Sequence, residues 1–395
     1  MVNASSPLPG KSPLRVLIAS RHLPECTGGL AAYQRGLAVE LGRRPGIEVC
    51  FLAAEGGGPE PRIQKPLPAP SQVLNCQCNR RAWMSMASRP FLHPLLKRAI
   101  AAAFRKSFAQ SQWCGFSNER HPDVVHFVGT GWDLAGFGFL ELARKAGARF
   151  TVWPATHPGQ WGDDVIDLAL YRSADAVFCQ SQGEINRLVD RGLPLKKAVL
   201  CGLPPMCSPD GNGGEFRSKW NLGTRPMVLF IGRRDEGKGF HALLQGWKSV
   251  LLQNPEAVLV LAGPGEAPLL PGGSIVDLGV PDEETKASSL AACDIFCLPS
   301  AHESFGIVFA EAWSYGKPVI CGPAPASREW IQDGVTGLHS SQDPSAVAAA
   351  IGRLLADSEL RSRMGAAGRT FQQSLLTWDA VLSIHVQAFA SENGD

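Results

Sequence analysis

Leu14-Arg15-Val16-Leu17-Ile18-Ala19, the loop holding Gly28-Gly29 and the stretch Leu30 to Leu41 together decide the fold. A short apolar run with β-branched residues reads as a strand, paired glycines as a tight loop, and the longer patterned stretch as a helix. Strand, glycine loop and helix in that order open a doubly wound unit. Working outward, strand-like runs recur at Val124-Val125-His126-Phe127-Val128, Phe150-Thr151-Val152 and Ala176-Val177-Phe178-Cys179, with helical stretches after the first and last. Apolar strands alternating with helices indicate a parallel sheet covered on both faces.

Between Leu203 and Arg225 the composition shifts to Pro, Gly, Asn and Ser, including Gly211-Asn212-Gly213-Gly214, which reads as a linker. A second alternating set follows at Met227-Val228-Leu229-Phe230-Ile231, Ala257 to Ala262, Ile295 to Leu298 and Pro318 to Cys321. Asp343 is a helix cap with Pro344 in the first turn, and the chain then reads as helical to Leu375 and again from Trp378 to Phe389. These features predict a disordered lead-in over 1–13 and two domains, 14–203 and 204–375.

The totals agree with that organisation. The 395 residues suffice for two cores at roughly 100 to 200 residues per domain. Hydrophobic residues make up 45% and charged ones 19%, the balance of a soluble globular chain. A net charge of +2 points to no nucleic-acid partner. The 11 cysteines include several inside apolar runs, such as Cys179 and Cys297, and read as buried thiols in a reducing compartment. Cys76 and Cys78 form a close pair without a second set at zinc spacing. No apolar run approaches the roughly 20 residues of a membrane span, and the start lacks a signal-peptide core, so a cytoplasmic location is expected.

One stretch departs from the alternation. From Arg80 to Phe108, seven Arg and Lys residues interleave with Trp83, Phe91, Leu95, Leu96, Ile100 and Phe104, interrupted by Pro90 and Pro94. A helix of this kind packs on its sheet with a solvated basic face, the preferred reading, or lies on an anionic membrane surface. The second reading would make the protein peripheral at the inner membrane face.

The sharpest constellation is Pro299-Ser300-Ala301-His302-Glu303-Ser304-Phe305-Gly306-Ile307-Val308-Phe309-Ala310-Glu311. It follows the strand at Ile295 to Leu298, at the carboxyl end of a parallel sheet, where ligands bind in such folds. With Ser304 as cap, the backbone N–H groups of Phe305, Gly306 and Ile307 make a seat for a diphosphate. Glu303 and Glu311, eight positions apart, return toward one helix face at about 3.6 residues per turn, and carboxylates suit sugar hydroxyls. Two solvated helix acids would have the same spacing.

Here the chain resembles a known family. The Glu303 and Glu311 spacing around Ser304-Phe305-Gly306 is similar to the Glu-x7-Glu signature of retaining glycosyltransferases with the GT-B fold, of the group 1 or family 4 type. Phe230-Ile231-Gly232-Arg233-Arg234-Asp235-Glu236-Gly237-Lys238-Gly239 resembles the family's strand followed by Gly-Arg and Lys-Gly, and Gly334-Val335-Thr336-Gly337-Leu338 its late turn. The resemblance runs from Leu14 to about Phe389 and implies two Rossmann-like doubly wound domains facing a central cleft. The first would hold the acceptor, the second the nucleotide-sugar donor, and the helix within 376–395 would pack back on the first.

By that resemblance Glu303 binds hydroxyls of the donor sugar and Glu311 the ribose. Arg233 and Lys238, beside Gly232, neutralise the departing diphosphate; a solvated basic turn is the plainer alternative. Gly28 and Gly29 stand where the family has its glycine loop. The family's histidine beside the reacting sugar matches His157 in Trp153-Pro154-Ala155-Thr156-His157-Pro158-Gly159, with His126 as competitor. Asp163-Asp164 stands alone, with no Asp-x-Asp motif, so neither a metal nor a cofactor beyond the nucleotide-diphosphate-sugar donor is expected. No protein nucleophile is assigned, the donor phosphate being placed to take the acceptor proton. The expected activity is transfer to a hydroxyl acceptor, a lipid-linked or envelope glycan. A sugar-nucleotide epimerase of the same architecture and a non-catalytic nucleotide-sugar-binding protein are the alternatives.

Overall fold

The computed structural model describes residues 12–20, 29–53, 121–133, 135–154, 156–157, 161–266 and 273–391. Gly28, Cys76, Cys78 and the basic stretch from Arg80 to Phe108 lie outside the described residues.

Long apolar runs form the interior strands. In the first sheet these are β1 (Leu14–Ser20), β3 (Val124–Val128), β4 (Arg149–Trp153) and β5 (Ala176–Cys179), flanked by β2 (Ile47–Ala53) and β6 (Ala198–Leu200). Their order is β2-β1-β3-β4-β5-β6, all parallel. The second sheet is built from β7 (Met227–Ile231), β8 (Val258–Ala262), β9 (Ile275–Asp277), β10 (Ile295–Leu298), β11 (Val319–Cys321) and β12 (Gly337–His339). Its order is β12-β11-β10-β7-β8-β9, again parallel. Two six-stranded parallel sheets with flanking helices are the two Rossmann-like halves expected from the alternation.

The chain forms two compact units. The first holds the first sheet and the chain from Leu382; the second holds Ser181–Gly183 and Gly202–Val381. In the first unit the helix Gly29–Gly42 turns Tyr33, Leu37 and Leu41 inward at helical spacing, and all three are fully buried. His126 is sealed in the same core: its Nδ1 lies 2.9 Å from Thr151 Oγ1, its register partner on β4. From the final helix, Trp378–Ala390, His385 enters this core, with Nε2 2.7 Å from the Tyr33 hydroxyl and its ring stacked on Phe178 at 4.3 Å.

The linker reading needs correction. Within Leu203 to Arg225 the chain forms the helix Gly213–Lys219, capped by Asn212, whose side-chain oxygen accepts from the Glu215 N–H at 3.0 Å. A Cβ on Gly213 would stand 2.8 Å from backbone of the helix Glu283–Ala292. The glycine serves close helix packing there, so its presence marks contact rather than slack. No described helix is long and apolar enough to cross a membrane.

Candidate functional site

In the second sheet β10 lies beside β7, with Ile295 opposite Val228 and Phe296 opposite Leu229. From β7 the chain passes to β8 on one side, and from β10 to β11 on the other. Loops leaving two neighbouring strands in opposite directions open a crevice at their carboxyl ends. Residues Gly232 to Gly239 and Pro299 to Gly306 form these two loops.

Hydrogen bonds lock the loops together. The Ala301 N–H donates to the Gly237 carbonyl at 2.8 Å, and the Ser300 hydroxyl donates to the same oxygen at 3.1 Å. Gln342 Nε2 donates to the Pro299 carbonyl at 2.8 Å and the Glu236 carbonyl at 3.1 Å. Gly239 starts the helix Phe240–Gln253 at φ 70°, and a Cβ there would meet the Pro299 carbonyl oxygen at 2.2 Å. Only glycine lets the loops approach this closely.

The crossing brings Lys238 and Glu303 together, Nζ donating to Oε1 at 2.6 Å with both side chains largely buried. Of the two adjacent arginines, one is exposed and one is structural. Arg233 is 67% exposed and, among the described residues, forms an ion pair with the half-exposed Asp235 at 3.3 Å. Arg234 is 1% exposed, forks onto Asp277 of β9, with Nη1 2.7 Å from Oδ2, and also donates to the Glu266 carbonyl. Its bond holds the Asp277 carboxyl below the usual carboxylate range.

The expected helix start shifts by a few residues. The helix is Ile307–Ser314, capped by Gly306 at φ 87°, so Ser304 is not its cap and Phe305 and Gly306 precede it. Phe305 packs edge-on against Trp330 at 5.3 Å, which fixes the turn before the helix begins. A capping hydroxyl needs the residue ahead of the first helical turn, and Ser304 sits two positions too early. Glu303 therefore lies on the loop and Glu311 on the helix, not both on one helical face.

Each acid has its own lysine. Lys286, on the helix Glu283–Ala292, donates through Nζ to Glu311 Oε1 at 2.7 Å. Glu311 is fully buried, and no described residue donates to its Oε2. Burial pulls the Lys286 ammonium down, but the Glu311 and Glu283 carboxylates outweigh it and its pKa is raised. The Cys207 thiol is pushed up to about 12, by burial first and then by the Glu311 charge.

In the first unit, Gly29 is the first residue of its helix, following β1 after residues 21–28. His157 exchanges backbone hydrogen bonds with Trp161 at 3.0 and 3.1 Å, and their rings stack at 3.9 Å. Just ahead of it, Thr156 donates its N–H and hydroxyl to the buried Glu184 Oε1, at 3.2 and 2.7 Å. His126 is 0% exposed, ringed by Phe178, His385 and Phe389, and burial depresses its pKa well below 6.5, the nearby His385 adding to the effect. A ligand cannot touch it in this packing. Among the described residues no group of three or more His, Cys, Asp and Glu side chains is set to hold a metal ion.

A family model described as Glycosyl transferases group 1 matches residues 212–371, and one described as Glycosyl transferase 4-like domain matches residues 28–203. The GDP-mannose-dependent alpha-(1-6)-phosphatidylinositol monomannoside mannosyltransferase of Mycobacterium tuberculosis is 31% identical over 316 residues, 68% of this chain and 81% of that protein. The chain belongs to the group 1 glycosyltransferases. The protein of the same description from Mycolicibacterium smegmatis is 27% identical over 393 residues, 92% of this chain and 95% of its own. A lipopolysaccharide core biosynthesis glycosyltransferase of Rhizobium meliloti is 28% identical over 243 residues, 58% of this chain and 68% of that protein.

Solved structures share the fold. Sucrose-phosphate synthase of Thermosynechococcus elongatus superposes with a TM-score of 0.70 at 19% identity, covering 97% of this chain and all of that one. Anabaena HepE in complex with UDP gives 0.64 at 17% identity over 95% of this chain and 98% of that one. Both carry the GT-B architecture of two Rossmann-like halves, which is the architecture of this glycosyltransferase.

Sequence reasoning missed Lys286, Gln342 and Glu184. Lys286 sits in the polar stretch Asp282-Glu283-Glu284-Thr285-Lys286, where a surface helix start is the ordinary reading. Gln342 and Glu184 act through contacts 43 and 28 positions distant, which no local spacing encodes.

Proposed function

We propose that this glycosyltransferase takes a nucleotide-diphosphate-sugar at the crevice between β7 and β10. It moves the sugar, with retention and without a metal ion, to a hydroxyl of a lipid-linked or cell-envelope glycan. The observation that carries the reading is the 2.6 Å contact of Lys238 with Glu303 where the two loops cross. A cation for a diphosphate and a carboxylate for sugar hydroxyls stand in one place, as joining a nucleotide to a sugar requires. Arg233, exposed and weakly held, supplies the second positive charge as the diphosphate leaves. The helix Ile307–Ser314 starts at Gly306 without a side-chain cap, and an uncapped helix start can offer N–H groups to an anion.

The relatives' names support the acceptor class, since one set acts on a phosphatidylinositol mannoside and another builds a lipopolysaccharide core. They also make GDP-mannose the first donor to try, with UDP-sugars next because a fold neighbour was solved with UDP. His157 and Gly29 are the residues of the first unit proposed to take part in transfer.

The test is a thermal-shift screen of GDP- and UDP-sugars, in which a true donor at a hundredfold over its Kd stabilises the fold by about 2.7 kcal/mol. Transfer to a phosphatidylinositol lipid is then assayed with and without EDTA. No shift with any sugar nucleotide sinks the donor reading, and loss of transfer in EDTA sinks metal independence. An inverted linkage in the product sinks retention, and epimerised donor without acceptor favours the epimerase. Failure to co-sediment with anionic vesicles removes the membrane contact.

A further inference from the structure

The loop that carries His157 is tied down at both ends. It leaves the carboxyl end of β4, the side of a parallel sheet where ligands bind. At its start Thr156 donates its N–H and hydroxyl to the buried Glu184, at 3.2 and 2.7 Å. At its close Gly162 turns at φ 88° so near Thr156 that a Cβ there would stand 2.9 Å from the threonine methyl group. Beyond it Asp163 pairs with Arg187, its carbonyl accepts from Arg191 at 2.7 Å, and Asp164 caps the helix Val165–Ser173.

Trp161 stands on this frame. Its indole lies 3.9 Å from the His157 ring with 29° between the planes, and the two residues exchange both backbone hydrogen bonds. It is 45% exposed, the one aromatic among the large hydrophobic side chains exposed in the described residues, whereas His157 beneath it is half-buried. An indole left this far in water forgoes much of the burial that justifies its size, and the contact it keeps is the stack on the imidazole.

We propose that Trp161 is a positioning residue whose indole covers one face of the His157 imidazole and fixes its plane, so that His157 meets the reacting sugar with its edge or its opposite face. The inference rests on the reading of His157 as a residue that takes part in transfer, and adds the group that aims its ring. A histidine turns about two side-chain bonds, the second with broad wells. A flat neighbour at stacking distance, on a loop pinned at both ends, removes that freedom before substrate arrives. Misaim at the reacting atoms is felt in the transition state, so its loss lowers kcat rather than donor affinity.

The test is steady-state transfer by the full-length protein from GDP-mannose, or from the sugar nucleotide that stabilises it most in the thermal-shift screen, to a phosphatidylinositol lipid. Trp161→Leu keeps apolar bulk without a flat ring; it lowers kcat about tenfold and leaves the donor KM within about threefold. Trp161→Phe restores a ring to stack and stays within about threefold of the wild type in both. In the His157→Ala background Trp161→Leu costs nothing further, because there is no ring left to aim.

Losses that multiply in the double variant overturn the proposal. So does a wild-type kcat in Trp161→Leu, or a loss in Trp161→Phe as large as in Trp161→Leu. Trp161→Gln repeats the comparison if Trp161→Leu does not fold. His157→Ala separates the layers: if it transfers as the wild type does, the reading of His157 fails. If His157→Ala loses transfer and Trp161→Leu retains it, only the role of Trp161 fails.

Discussion

Lys238 carries a testable load at the scale of one side chain. It contacts Glu303 at 2.6 Å with little solvent on either group, so Lys238→Met removes the proposed diphosphate cation and strands a largely buried carboxylate. Transfer should fall about a hundredfold to a thousandfold, the usual loss for one preorganised electrostatic partner, when initial rates are compared at saturating donor. Arg233→Met should cost less, because an exposed arginine is less preorganised. Equal losses for the two would contradict the structure's ranking. The sequence showed Lys238, Glu303 and Glu311, and the resemblance singled out Arg233, but what holds its neighbour Arg234 was not visible. Arg234 is held by Asp277, 43 positions away on an edge strand, and by the Glu266 carbonyl.

Among the described strands, the eight interior ones were legible and the four edge ones were not. β1, β3, β4, β5, β7, β8, β10 and β11 are hydrogen-bonded on both sides and covered on both faces, which selects unbroken apolar runs. β2, β6, β9 and β12 each pair on one side only; three of them are three residues long, and β2 carries Glu48. An edge needs no such run, so its sequence resembles loop. The helix start was misplaced for a related reason: Ser304 is a good cap residue, but Phe305 packing on Trp330 and the positive φ of Gly306 set the first turn. Tertiary contact overrode local preference. The same closeness of elements predicts that Gly239→Ala, strained at φ 70° and driven into the Pro299 carbonyl, destabilises the second unit by about 2 kcal/mol or more. Urea melts of the variant should show the lower midpoint with the slope unchanged.

For the whole molecule, buried neutral groups set both ends of its pH stability. Burial holds Cys207, Cys293 and Cys321 up to about 12 and raises Cys201 and Cys297 as well, against an ordinary value of 9.0. A raised folded pKa gives stability that is complete below 9.0 and is lost as pH climbs toward 12, since the unfolded thiols ionise first. The raised Lys286 adds to the same alkaline limb above 10.5. On the acid side His126, depressed by burial from 6.5, contributes stability above that value that fades as pH falls and only the unfolded chain takes its proton. Each group changes stability by at most about 1.4 kcal/mol per pH unit. Denaturant midpoints across pH should fall from about 9 upward and from about 6.5 downward, with His126→Gln flattening the acid limb.

The hydrogen bond between Tyr33 and His385 joins residues 352 positions apart. During synthesis the first sheet is complete in sequence once β6 has been made, yet its core still lacks the His385 ring that stacks on Phe178. At the roughly 5–20 residues per second of translation, that gap lasts on the order of tens of seconds. Since the second unit ends at Val381, the first waits with an open face until nearly all of the second has been made.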